Sequence, residues 1–276
     1  MDRIRLIASD MDATLLDEQS QLPADFEETI HALAELGIRF APASGRPLYT
    51  LEAMFPTLQD ELVFIGDNGG AIRWKGQNLF TSEMSPEGWR ALNCLTREQG
   101  DTAVLCGLES AYVERPFAVH DAVLRHFYTK IEYVDRLEDV TAPADKFTIY
   151  LPQHNAQQAY DTVYASQRSI YSVAVAGECW VDIMNPGVHK GAALQTLGQL
   201  WGLPSESIMA FGDTYNDAEM LQTVRYGFLM ENGSEPLRQK VPFLAPSHRE
   251  AGVMQVLHRV LAQNGCVCPE DFVPAH

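Results

Sequence analysis

A short apolar run, Ile4-Arg5-Leu6-Ile7-Ala8-Ser9, breaks off at two acids spaced two apart, Asp10-Met11-Asp12, with Ala13, Thr14 and Leu15 following. A run of that length reads as a buried strand. Two carboxylates buried without partners are costly, so something near the strand's end must offset their repulsion. The carboxyl edge of an open α/β sheet is where ligands bind, and a divalent cation there would supply the missing charge. The alternative is an ordinary strand-to-turn junction, because Asp is common in turns and at helix starts.

The same pattern recurs along the chain. A helical stripe of Phe26, Ile30, Leu33 and Leu36 follows Pro23 and stops at Gly37, where a C-cap belongs. A second apolar run, Ile38 to Ala43, ends in Ser44-Gly45-Arg46-Pro47, and Pro47 opens a helix carrying Leu48, Leu51 and Met54. A third, Leu62 to Ile65, ends in Gly66-Asp67-Asn68-Gly69-Gly70. After a long interruption, Ser207 to Phe211 ends in Gly212-Asp213-Thr214-Tyr215-Asn216-Asp217. Strand-then-helix units with polar tips predict an α/β fold with a doubly wound, parallel, Rossmann-like sheet, since parallel neighbours need crossover connections. Further strands are expected at Tyr226 to Met230 and Phe243 to Ala245, with a closing amphipathic helix over Glu250 to Gln263. Cys266 to His276 reads as a loose tail.

The rhythm changes beyond Gly70. A hairpin, Ala71 to Trp74 and Asn78 to Thr81, leads to a helix from about Ser85 to Gln99. Strands are expected near Thr102 to Cys106, Ala111 to Glu114, Lys146 to Leu151, Tyr171 to Ala176 and Cys179 to Met184. Helices are expected near Phe117 to Thr129 and Asn155 to Gln167. Helices alternating with paired strands predict an inserted α+β module with an antiparallel sheet. The boundaries are residues 1–82 and 186–276 for the discontinuous core and 83–185 for the inserted module. Trp89, Tyr112, Phe117 and Trp180, at helical or strand spacing, are expected to be mostly core of that insertion.

If a parallel sheet forms, its edge gathers Asp10, Asp12, Ser44, Asp67, Asn68, Asp213, Asn216 and Asp217, with Lys190 at a helix start nearby. Acids so crowded call for a hard cation, and Mg²⁺ with carboxylate ligands, retained waters and a phosphate oxygen suits them. Asp10 and Asp213 are the expected ligands, with Asp217 orienting a bound water. Lys190 can neutralise a phosphate and Ser44 can donate a hydrogen bond to one. His189 reads as structural, whereas Arg46 is either a surface charge or a substrate contact, and Asn68 either a turn former or a ligand. With 20 Lys+Arg against 37 Asp+Glu, a formal charge of -17, long-range fields repel nucleic acid and anionic membranes. A phosphorylated small molecule then needs local cations. Five scattered cysteines without a CxxC pair read as reduced thiols, and the first strand leaves no room for a leader, so a cytoplasmic location is expected.

Asp10-Met11-Asp12-x-Thr14-Leu15, Ser44-Gly45-Arg46-Pro47, Lys190-Gly191 and Gly212-Asp213-x-x-Asn216-Asp217 resemble, in order and spacing, the four motifs of the haloacid dehalogenase-like hydrolases. The insertion looks like the cap of the Cof-type phosphatase subfamily. The resemblance implies that Asp10 is a nucleophile forming an aspartyl-phosphate and that Asp12 is the general acid and base. It implies too that the Asp10 side chain, the Asp12 backbone carbonyl and Asp213 hold the metal. Phosphate-binding roles are expected for Ser44, Gly45, Arg46, Asn68, Lys190 and Asn216. Because an ester leaving group needs a proton, the acid at Asp12 favours ester hydrolysis over dehalogenation. The expected activity is Mg²⁺-dependent hydrolysis of a small phosphorylated metabolite of sugar phosphate, pyridoxal phosphate or flavin mononucleotide type. A phosphomutase and a non-catalytic phosphate-binding protein remain open as alternatives. One position departs from the family pattern: Ala13 stands where Gly is usual, and the expectation is that its φ is negative and the site intact.

Overall fold

The computed structural model describes residues 1–276 as two large sheets and one small two-stranded sheet, with helices packed on them. The larger, nine-stranded sheet has Leu6–Asp10 at its centre, between Arg39–Ala43 on one side and Ile208–Gly212 on the other. Val63–Gly66 extends it on the first side, and Tyr226–Met230 and Phe243–Ala245 on the second, all parallel. Chain order reverses at Leu6–Asp10, which makes its carboxyl end the crevice where such sheets bind ligands.

Alternation along the central strands explains the two helical layers. Leu6 and Ala8 point to Ala193, Leu194, Leu197 and Met220, whereas Ile7 joins Phe26, Ile30, Leu33, Val253 and Leu257 on the opposite face. Burial on both faces is what a parallel sheet requires. The hairpin Ala71–Trp74 and Gln77–Thr81 closes one edge antiparallel.

The expected loose tail is a correction. Cys266–Val267 pairs with Asp2–Arg3, Val273–Pro274 pairs with Phe243–Ala245, and the Phe272 ring packs edge-on to Tyr226 and Phe228. Apolar Val267 and Phe272, spaced among polar neighbours, supply the burial that ties it down.

The second, six-stranded sheet has the spatial order Ser172–Val175, Trp180–Met184, Ala144–Tyr150, Thr102–Gly107, Ala111–Glu114, Ile131–Val134. It is not wholly antiparallel: Ile131–Val134, a strand the sequence reading missed, runs parallel to Ala111–Glu114. The helix expected over Phe117 to Thr129 is instead a 3₁₀ segment, Arg115–His120, continuing into Asp121–Phe127. That over Asn155 to Gln167 stops at Asp161, with a separate turn at Ala165–Ser169. Phe147, Ile149, Val181 and Ile183 pack under the helix Pro86–Gln99, with Trp89 and Leu92. Strand alternation turns Lys146, Thr148 and Asp182 the other way, toward the first sheet.

Candidate active site

Asp10 ends the central strand and Lys190 opens the helix Lys190–Trp201, yet the two side chains are bonded; Lys190 also reaches Asp217 Oδ1 at 2.7 Å. Two glycines allow that approach. A Cβ on Gly191 would lie 2.7 Å from the Glu219 carbonyl carbon, so helix Lys190–Trp201 sits directly on helix Ala218–Thr223. A Cβ on Gly212 would overlap the Asp217 side chain at 2.4 Å, so Asp217 can fold back over its own strand end. There Asp217 Oδ2 accepts from the backbone N–H groups of Asp213 and Thr214 at 3.0 and 3.2 Å. With both oxygens engaged, Asp217 holds Lys190 and the Asp213 loop in place.

Oxygens of Asp10, Asp213 and Asp217 lie within 4.8 Å of one another, and all three residues are buried. Thr14 Oγ donates to Asp213 Oδ1 at 3.4 Å. Burial pushes the Asp10 carboxyl up to about 8, Lys190 opposing and Asp217 and Asp213 reinforcing the shift. Asp213 is pushed up to about 6, again by burial first and by Asp217. Burial also disfavours charge on Lys190, but the Asp10 and Asp217 carboxylates outweigh it and hold the ammonium above its ordinary range. Three carboxylates against one ammonium leave two negative charges uncompensated when all are ionised. A buried, all-oxygen donor set with that deficit fits a hard divalent cation.

Asp12 leaves the strand end for the opposite side. Its carboxylate pairs with both terminal nitrogens of the Arg46 guanidinium, at 2.9 Å each, and is half exposed. Arg46 is only 9% exposed, so it is no surface charge. Ala13 is the second correction: its φ is +58°, left-handed, with ψ 13°. The turn over-determines it, because Leu16 N–H donates to the Met11 carbonyl and Asn232 Nδ2 donates to the Ala13 carbonyl at 2.9 Å. Ala, with the smallest side chain after Gly, bears that conformation at a cost of about 1–2 kcal/mol. The three carboxylates still converge.

Ser44 Oγ accepts from the Arg46 N–H at 3.1 Å and lines the same cavity as Asp10, Asp12, Gly45, Arg46, Asn68, Asp213 and Asn216. Asn216 is exposed and Thr214 Oγ donates to it at 2.6 Å. Asp67 and Asn68 both have positive φ, near 50° and 55°, so Asn68 serves the turn, and its Nδ2 also donates to Asp182 Oδ2 at 3.1 Å. His189 is structural: its Nδ1 accepts from the Ala192 N–H as a helix cap.

The cavity, about 580 Å³, runs between the two sheets, and its second wall was missed in the sequence. Lys146, 2% exposed, donates to the Gly45 carbonyl at 2.5 Å and pairs with Asp67 at 3.0 Å. Asp182 Oδ1 accepts from Thr148 Oγ at 2.7 Å. Trp180, expected to be core, lines the cavity instead, beside Tyr150 and Phe127. The available signal was charge inside apolar strands: Lys146 and Asp182 sit on the polar beat of Ala144–Tyr150 and Trp180–Met184, where Thr148 and Asp182 are cross-strand partners.

The family model for haloacid dehalogenase-like hydrolases matches residues 7–257, which is the span holding every motif above. The chain therefore belongs to the haloacid dehalogenase-like hydrolase family. It is a phosphatase of the Cof-type branch, as its curated relatives are. An Escherichia coli relative, 5-amino-6-(5-phospho-D-ribitylamino)uracil phosphatase YbjI, is 31% identical over 262 residues, covering 94% of this chain and 96% of that one. An HMP-PP phosphatase of Cronobacter sakazakii is 31% identical over 253 residues, covering 87% and 89%. A solved Streptococcus mutans structure superposes with a TM-score of 0.85 at 28% identity, covering 94% of this chain and 99% of that one. No helix is long and apolar enough to cross a membrane.

Proposed function

We propose that the protein is a Mg²⁺-dependent phosphatase that hydrolyses a small phosphorylated metabolite through a phosphoryl group carried on Asp10. The observation that carries this reading is the buried meeting of Asp10, Lys190, Asp213 and Asp217 at one end of a cavity of metabolite size. Asp10, the Asp12 backbone carbonyl and Asp213 would hold the cation, which when bound neutralises the carboxylates and the charge on the transferring phosphoryl group.

In the first step an Asp10 oxygen attacks phosphorus as the ester P–O bond breaks, and the leaving oxygen takes a proton from Asp12. In the second, water loses a proton to Asp12 and attacks the phosphorus, releasing phosphate and restoring the Asp10 carboxylate. Lys190 stabilises charge on the phosphoryl oxygens, while Ser44 and Asn216 donate hydrogen bonds to them. Asp12 has to let go of Arg46 to carry a proton. The cavity offers Arg46 a substitute partner in the substrate phosphate, so substrate arrival and release of the acid are coupled. General acid catalysis of this kind contributes about 10²–10⁴-fold. The insertion of residues 83–185 acts as a cap that excludes water and selects the leaving group.

Turnover of a panel of phosphorylated metabolites, with Mg²⁺ and with EDTA, tests the reading. Phosphate release that needs Mg²⁺ and disappears in Asp10→Asn is expected. Equal turnover in wild type and Asp10→Asn removes Asp10 from the mechanism, and an isomerised sugar phosphate in place of free phosphate makes the enzyme a mutase.

A further inference from the structure

Three successive carbonyls of one loop, those of Ser44, Gly45 and Arg46, each accept a hydrogen bond. Ser44 and Arg46 take theirs from the backbone N–H groups of Asn68 and Asp67, at 2.9 Å each, so the left-handed turn after the neighbouring strand Val63–Gly66 supplies both. The carbonyl between them is served from the other sheet, by the buried Lys146 ammonium at 2.5 Å. Asp67 Oδ1 at 3.0 Å and Asp182 Oδ2 at 3.7 Å flank that ammonium, and Asp182 is itself held by Thr148 and Asn68. Lys146 therefore has a fixed place and a specific backbone target.

The Gly45 carbonyl and the Arg46 N–H belong to one peptide group. That group is planar and trans, so its two polar atoms point to opposite sides. Fixing the carbonyl on Lys146 also fixes the N–H, which donates to Ser44 Oγ at 3.1 Å. With one lone pair of Oγ engaged by that donor, the Ser44 hydroxyl proton is left for an acceptor in the cavity that Ser44 lines.

We infer that Lys146 is a positioning residue for phosphoryl binding: through the Gly45–Arg46 peptide it aims the Ser44 hydroxyl, without itself touching the phosphoryl group. This rests on the phosphatase reading above, which makes Ser44 a donor to phosphate. Lys146 comes from the six-stranded sheet and Ser44 from the nine-stranded one, so the hydroxyl is aimed only while the two sheets are together. An ion pair that merely fastened the sheets would support the fold without acting through Ser44.

The test is a double-mutant cycle on the full-length enzyme with Mg²⁺, read by calorimetric titration with inorganic phosphate and, beside it, by hydrolysis of p-nitrophenyl phosphate. Lys146→Met is paired with Asp67→Asn, which removes the ammonium and its carboxylate partner together and so leaves the net charge of the site unchanged. Lys146→Met alone carries the cycle if the pair does not fold. Asp67→Asn alone keeps the bond to Gly45 and should bind phosphate as wild type does. The pair should weaken phosphate binding about tenfold, as loss of one well-aimed hydrogen bond to a charged group predicts. Ser44→Ala should weaken it by a similar factor. Because the two residues act in series, adding Ser44→Ala to the pair should cost little more than either change alone. Losses that multiply to about a hundredfold overturn the inference, since independent effects add in free energy. Unchanged phosphate affinity in the pair overturns it as well. Either result beside normal wild-type hydrolysis of p-nitrophenyl phosphate leaves the phosphatase reading standing. A wild type that binds phosphate without hydrolysing the ester brings down that reading and leaves the cycle to decide this one; a wild type that does neither brings down both.

Discussion

Replacing Lys190 with methionine keeps most of the side-chain volume and removes the one ammonium among three buried carboxylates. Lys190 is fully buried and bonded to Asp10 and to Asp217 at 2.7 Å. Breaking a buried pair from one side costs about 3–5 kcal/mol, because the abandoned charge stays buried. For 276 residues at about 2.1 cal/mol/K each, the unfolding entropy is near 0.6 kcal/mol/K, so the melting temperature should fall by roughly 5–9 °C. The loss has a pH signature. Asp10 and Asp213 are raised acids, so between about pH 4 and pH 8 the native state binds more protons than the unfolded one, and metal-free stability falls as pH rises. Without Lys190 the carboxyls rise further, so the variant's deficit should be larger at pH 8 than at pH 5, where Asp10 and Asp213 are neutral with or without Lys190. Calorimetry in EDTA at both pH values measures it. A Lys190→Met melting temperature equal to wild type at pH 8, or a larger deficit at pH 5, refutes the reasoning.

Two further outcomes follow from the same geometry. Ala13→Gly relieves a left-handed alanine but loosens the unfolded chain; the net should be a gain of about 0.5–1 kcal/mol, or roughly 1–2 °C, and a loss of stability would show that the turn does not hold Ala13 at positive φ. Because a cation needs ionised ligands, Mg²⁺ must displace protons from Asp10 and Asp213, so the melting-temperature increase with saturating Mg²⁺ should be larger at pH 8 than at pH 5.5. Equal increases at the two pH values would count against those carboxyls as ligands.

The sheet and its polar edge were legible because each apolar run ended in a tip, so that pattern alone brought Asp10, Ser44, Asp67 and Asp213 to neighbouring strand ends. Periodicity carries no information about backbone sign, however. Ala13 was misjudged because its conformation is set by long-range bonds such as Asn232 to its carbonyl, across 219 residues. The tail was misjudged for a similar reason: short two-residue pairings leave no period to read, and the aromatic cluster that anchors Phe272 assembles only in the fold. Arg46 was ambiguous until Asp12 turned to meet it. Lys146 and Asp182 lay inside apolar strands, and their burial follows from the two sheets facing each other, which no single strand reveals.

The central claim is that Asp10 carries the phosphoryl group, and trapping it is the most direct measurement. Enzyme mixed with Mg²⁺ and a turned-over phosphate ester is quenched in acid within a single turnover, digested and mapped by mass spectrometry. A phosphoryl group on the peptide containing Asp10, removed by hydroxylamine and missing from Asp10→Asn, is the predicted result. A burst of free phosphate with no label on that peptide at any quench time contradicts the account.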